Sequence, residues 1–346
     1  MHTLTTLGSV QAARTAAFPA KFADNPLRAI TLDSLQRRNA ILDAVFYDIG
    51  VITPEETKGL AFWLAREGAI LFVTPSGQEP LQLFLTTDEF FSKNDKAAAA
   101  LVVAGVGSSA LGAAAFARNV ADALGEPVVA VVSGYGLADV LTEAMGGFFL
   151  FGGLNSLRHL FEPLDMLSKT FTWTERWSEL DKGARWARSS KDTETVIALL
   201  KDQRFGAPLL VGHSKGNLVL SEALYAIAGE DEALAGAMGK KLRIVTISAK
   251  IGMPPHFPNV LDVMGAWDWF GALNSRPDIP AEYTVPRAWH STNRDFPMGM
   301  AIDVKDALLK VLPMFGNQRQ ARPSTEVAAI FDAPQRMAAA LRSPVA

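Results

Sequence analysis

Residues 212–216, Gly-His-Ser-Lys-Gly, put one hydroxyl between two glycines. A serine hydroxyl is a poor nucleophile at neutral pH. It becomes a useful one when a neighbouring base takes its proton and a tight turn exposes its oxygen. Small residues two positions to either side clear such a turn, where a strand end packs against a helix start. With glycine and serine usage of ~7% each, three fixed positions arise by accident in about one chain of this length in ten, so the context has to carry the reading. Before the motif, "APLLV" is a buried-strand run, and after it "NLVLSEALYAIAG" has the pattern of an amphipathic helix. The competing reading of Ser214 is a helix N-cap, common at strand-to-helix junctions.

A serine nucleophile needs a base and a group that orients the base. Downstream, "VLDVMGAWDWF" is an apolar strand run with Asp268 just beyond its end, and "EYTVPRAWHS" is a short strand run ending at His290. Catalytic groups of parallel α/β sheets gather at the carboxyl ends of strands, and Ser214, Asp268 and His290 all fall there. Asp262, Asp278 and Glu282 are rival acids; Asp262 lies inside an apolar run and Asp278 stands between two prolines. His213, His159 and His256 are rival bases, and position after the last strand favours His290. Trp267, Trp269 and Phe270 surround the acid and Trp289 precedes the histidine, so these rings are expected either to fill core or to wall a dry site.

The elements that must hold these residues follow from periodicity. Residues 26–67 read as helical, with Thr53 as N-cap, Pro54 at the first helical position and Glu56 completing a capping box. "AILFVTP" and "LQLFLTT" read as a strand pair, after which apolar strand runs alternate with helical stretches. That alternation predicts an α/β fold: a mainly parallel central sheet with helices on both faces. The interval from Gly134 to Pro208 is too long for one crossover helix, so an inserted cap is expected at about 143–190. Within it Phe148, Phe149, Leu150 and Phe151 form an apolar cluster between two glycine pairs, either core or an acyl-binding wall. The expected organisation is a helical extension over 1–68, a core with its cap over 69–315, and a C-terminal tail over 316–346.

Over roughly Ala69 to Phe315 these features resemble the α/β-hydrolase superfamily: the elbow "GHSKG", the element "VMGAWD", a histidine after the last strand, and the order nucleophile, acid, histidine. The resemblance implies that Ser214 is the nucleophile, His290 the general base and then acid, and Asp268 the group that orients the imidazole. It also implies an oxyanion hole built from the backbone N–H of Lys215 and one from the loop at Val106 and Gly107. That loop reads "GVGSS" rather than HG or HGGG. The activity implied is hydrolysis of a carboxylic ester through an acyl-enzyme, with substrate contacts from Phe148, Phe149, Phe151, Trp267 and Trp269. The aromatic surroundings point to a lipophilic acyl group in a small-molecule or lipid ester. Acyl transfer or thioester hydrolysis would use the same three residues. A lipid-surface or granule-binding protein with a vestigial site is the reading from a different class.

Composition narrows the rest. The 346 residues are 49% apolar and 20% charged, with a formal net charge of −3 and no cysteine. Such a chain is long enough for one main domain with additions, and the balanced charge gives no basic run to track phosphates, so no nucleic-acid partner is expected. The absence of cysteine removes disulfides, thiolate catalysis and cysteine-ligated metals, and no metal or organic cofactor is implied. The uncharged run from Ala97 to Ala117 is long enough to span a bilayer, but "GVGSS" divides it into a β-branched half and an alanine-rich helical half. No transmembrane segment is therefore expected, with peripheral contact to a lipid surface still open. Residues 1–23 lack a continuous secretory-type apolar region, which makes a cytoplasmic location the default.

Overall fold

The computed structural model describes residues 43–61, 67–105, 108–133 and 190–317. An eight-stranded sheet forms its centre, built from β1 (Ile70–Val73), β2 (Gln82–Phe84), β3 (Ala100–Val103), β4 (Val128–Val131), β5 (Leu209–His213), β6 (Arg243–Ile247), β7 (Val260–Gly265) and β8 (Tyr283–Val285). The spatial order is β2-β1-β4-β3-β5-β6-β7-β8. β1 runs antiparallel to both neighbours, and every pairing from β4 across to β8 is parallel. The described helices are α1 (Pro54–Ala61), α2 (Thr87–Lys93), α3 (Ala110–Leu124), α4 (Lys191–Lys201), α5 (Lys215–Glu230), α6 (Glu232–Gly239), α7 (Trp269–Leu273), α8 (Val304–Val311) and α9 (Met314–Asn317).

The sequences "ILFV", "ALVV" and "VVAV" are buried at every residue, as strands covered on both faces must be. Because successive side chains of a strand point to opposite faces, each strand feeds two cores. Val102 and Ala104 pack with Phe116 and Val120 of α3 and Leu308 of α8 on one face. Leu101 and Val103 pack with Leu199 of α4 and Leu220 and Leu224 of α5 on the other. The uncharged run 97–117 therefore holds strand β3 and the first half of α3 rather than one long helix. Ser109 starts α3 by accepting the Leu111 N–H, and Gly125 ends it with φ 70°, a conformation that favours glycine. Among the described residues no helix is long and apolar enough to cross a membrane.

The N-terminal part joins the same core. Tyr47, Ile49 and Ile52 are buried against α3 and the sheet. The capping box of α1 forms as its residue types require: the Glu56 N–H donates to Thr53 Oγ1 (3.3 Å) and the Thr53 N–H donates to Glu56 Oε2 (3.1 Å). Glu56 also accepts the Leu81 N–H and forms a buried ion pair with Arg118 of α3. Residues 43–61 thus share the hydrophobic core of the sheet, although they precede the expected boundary at residue 68. The expected cap falls almost wholly within 134–189, outside the described residues, and of the tail only residues 316 and 317 are described.

Candidate active site

The sheet order reverses at β3, whose neighbours are β4 on one side and β5 on the other. At such a switch point the connections leave the strand ends in opposite directions and open a crevice where ligands of α/β sheets bind. Gly105, after β3, and Ser214, after β5, face each other there. A Cβ on Gly105 would stand 3.0 Å from the Ser214 Cβ.

β5 ends at His213 and α5 begins at Lys215, so Ser214 alone makes the turn. It does so with φ 53° and ψ −121°, a sparsely populated conformation for a non-glycine residue that costs about 1–3 kcal/mol unless its surroundings impose it. They do. The Ser214 N–H donates to Ile247 O (2.9 Å), the Asn217 N–H donates to Ser214 O (3.1 Å), and Asn217 Nδ2 donates to Ile247 O (3.0 Å) and Ala249 O (2.9 Å). Both flanking glycines are needed by close approach. A Cβ at Gly212 would lie 2.2 Å from Asn217 Oδ1, and one at Gly216 would lie 2.1 Å from Val103 O. The glycine spacing therefore lets α5 sit directly on β3, with Ser214 half-buried at the turn.

Ser214 Oγ lies 2.9 Å from His290 Nε2, and His290 Nδ1 lies 2.9 and 3.0 Å from the two oxygens of Asp268. Asp268 and His290 are both buried. A carboxylate only accepts, so Nδ1 carries the imidazole proton and Nε2 is left to accept from the serine. Asp268 is held in turn as the N-cap of α7, where Oδ1 accepts the Gly271 N–H at 2.6 Å. β8 stops at Val285, five residues short of His290, because Pro286 has no N–H to continue the ladder. The chain then carries His290 back over the crevice, with Trp267 N–H donating to Ala288 O and Trp289 N–H donating to Met300 O.

The rings against His290 are Phe270 (4.7 Å between centroids), His213 (5.1 Å), Phe46 (5.8 Å) and Trp289 (6.2 Å). Trp267 and Trp269 are not core residues: they are 54% and 61% exposed, and Trp269 meets Phe270 edge to face with centroids 6.0 Å apart. Lys215 opens α5, so its amide lies at the N-terminus of that helix. Val106, Gly107, Phe148, Phe149 and Phe151 lie outside the described residues, as does His159. The rival acids have other company, as does His256 among the rival bases. Asp262 is buried in β7 and accepts the Thr246 hydroxyl. Glu282 accepts the Asp262 N–H, and Asp278 pairs with Arg276. His256 reaches Glu232 at 3.4 Å. Phe46 and Tyr47 are the site neighbours that sequence reasoning missed, since "VFYDIG" matches no motif and sits far from the elbow in the chain.

No protein-family model matches this chain, and neither does any curated protein or solved structure.

Proposed function

We propose that this chain is a serine hydrolase of the α/β-hydrolase type that cleaves carboxylic esters with a lipophilic acyl group through an acyl-enzyme. The observation that carries the reading is the continuous array Ser214, His290, Asp268, with the serine oxygen on a strained turn 2.9 Å from His290 Nε2. Strain of this kind persists where the surroundings impose it, and presenting a hydroxyl beside a base is a chemical use for it.

In this reading Ser214 Oγ adds to the ester carbonyl while its proton passes to His290 Nε2, and the Asp268 carboxylate stabilises the imidazolium that results. The developing oxyanion takes the Lys215 N–H and a second N–H from the loop at Val106 and Gly107. Collapse breaks the bond to the alcohol, which leaves with the proton from His290. A water then adds to the acyl carbon as it gives a proton to His290. The bond from that carbon to Ser214 Oγ breaks, the proton returns from His290 to the serine, and the acid is released. The aromatic rings of Phe46, Phe270 and Trp289 around the imidazole support a site that favours apolar groups.

Hydrolysis of p-nitrophenyl esters of graded chain length by wild type and Ser214→Ala tests the reading. Turnover is expected in wild type, lost in the variant, and rising with acyl length by up to ~0.8 kcal/mol in transition-state binding per buried methylene. A wild type without turnover on the whole series contradicts it. Adding a competing alcohol measures how much acyl group is transferred rather than hydrolysed.

A further inference from the structure

We infer that Tyr47 is a positioning residue for the Ser214–His290 pair, acting through His213 and the Gly105 amide; the inference rests on the proposed hydrolase reading. His213 is buried next to the nucleophile, with Nε2 3.0 Å from the His290 carbonyl oxygen and Nδ1 3.0 Å from the Tyr47 hydroxyl. A carbonyl only accepts, so Nε2 bears the proton and Nδ1 accepts from Tyr47 O–H. The Tyr47 oxygen in turn accepts the Gly105 N–H at 2.6 Å. The donors all run one way: Gly105 N–H to Tyr47, Tyr47 O–H to His213 Nδ1, His213 Nε2–H to the His290 backbone. These bonds tie together the loop after β3, the elbow and the histidine loop, the segments whose relative placement fixes the distance between Ser214 Oγ and His290 Nε2. His213 is not a base here. Burial first, and the neighbouring His290 second, depress its pKa to about 3, in keeping with the neutral tautomer.

The backbone around Tyr47 grips the same loop. Phe46 O accepts the Thr292 N–H and the Thr292 hydroxyl, both at 2.8 Å. Val45 O accepts the Ser291 hydroxyl at 2.7 Å, Ala44 O accepts Asn293 Nδ2 at 2.6 Å, and Asp48 binds Arg294 Nε at 2.6 Å. Residues 44–48 are thus bonded almost one for one to 291–294, directly after the catalytic histidine. The Tyr47 ring is seated against Phe116 of α3 and over Gly112, where a Cβ would come within 2.9 Å of its Cδ2. Without the hydroxyl, a buried amide and a buried imidazole nitrogen each lose their partner, and the loops that carry them settle elsewhere. A displacement well under an ångström is enough to slow the transfer from serine to histidine.

Tyr47→Phe keeps the ring and removes only the hydroxyl. On a p-nitrophenyl ester at about 25 °C the expected result is kcat lower by about 10- to 100-fold with KM within about 2-fold, the signature of lost transition-state geometry rather than lost binding. The low-field proton resonance of His290 Nδ1–H, recorded without substrate, is expected to move or broaden. In a His213→Gln background the further effect of Tyr47→Phe on kcat is expected to be smaller than in wild type, the part that remains being the one carried by the Gly105 amide, because residues acting through one another are not additive. If Tyr47→Phe does not fold at the assay temperature, His213→Gln alone carries the test, with the same expected loss of kcat. Unchanged kcat, KM and His290 resonance in the folded variant beside an active wild type overturn this inference and leave the hydrolase reading standing. A folded wild type that neither turns over an ester nor reacts with a serine-directed probe removes both.

Discussion

Gly216 approaches the Val103 carbonyl so closely that its missing side chain is a structural requirement of the serine turn. Gly216→Ala is accordingly expected to lower stability by about 1–3 kcal/mol, the range for overpacking a close contact, as measured by denaturant unfolding. At Gly229, where a Cβ meets nothing within 4 Å, the same substitution in the same helix is the control and is expected to be neutral or stabilising. The supporting pair behaves differently. His290→Ala and Asp268→Asn are expected to leave the fold nearly intact and to lower kcat by at least ~10³ by the precedent of such arrays. The side-chain amide introduced by Asp268→Asn keeps an oxygen that can accept the Gly271 N–H, so the cap of α7 survives that change. If His290→Ala stayed active while His256→Ala lost activity, the assignment of the base would be wrong. Ser214, Asp268 and His290, which the structure brings together, can be read from the motif GHSKG, chain order and strand ends. Tyr47 cannot, because its hydroxyl meets His213 across 166 positions of sequence and no local pattern encodes that meeting.

Individual elements carry charges that folding shifts in opposite directions. Asp43, on the helical turn before Tyr47, is buried against the N-terminus of α3. Burial pushes its pKa up to about 8 although the Ser109 hydroxyl and amide donate to it. Its folded pKa lies above the unfolded value of 3.8, so its contribution to stability is complete below about pH 4 and is lost as pH rises towards 8. His213 runs the other way: with a folded pKa of about 3 against 6.5 unfolded, its contribution is complete above pH 6.5 and is lost as pH falls through that window. The two oppose each other between about pH 4 and 6.5, and above 6.5 only Asp43 still changes. From about pH 6.5 to 8 the contribution of Asp43 to stability is therefore expected to fall with pH, by up to about 1.4 kcal/mol per unit, and Asp43→Asn is expected to flatten that slope. Melting curves of both proteins across that interval check it. An equal slope in both would show that Asp43 does not bind its proton in the folded state. At this scale the sequence signals are strong where the pattern is local: the capping box at Thr53 and Glu56 and the strand runs of β1, β3, β4, β6 and β7 read directly. For β8 the apolar period continues past Pro286 and predicts a strand reaching His290, whereas the hydrogen-bonded ladder stops at the proline.

Across the whole molecule, the parallel strands from β4 to β8 bring residues 105, 214, 268 and 290 to the side of the sheet where those strands end, with the strand order reversing at β3. Alternating strand and helix patterns are enough to predict that architecture, since each element must bury its apolar face against the next layer. They say nothing of residues 44–48 clamping 291–294, contacts about 246 positions apart in the chain, so in the sequence the N-terminal segment looks like an addition when it is part of the site's frame. The central claim is that this frame presents Ser214 as an activated nucleophile. Its most direct test is intact-mass and peptide-mapping analysis after treatment with a fluorophosphonate probe. The account predicts one adduct per chain, located on Ser214, formed by wild type and absent from Ser214→Ala. Folded wild type that takes up no probe, or an adduct that persists at another residue in Ser214→Ala, would contradict it.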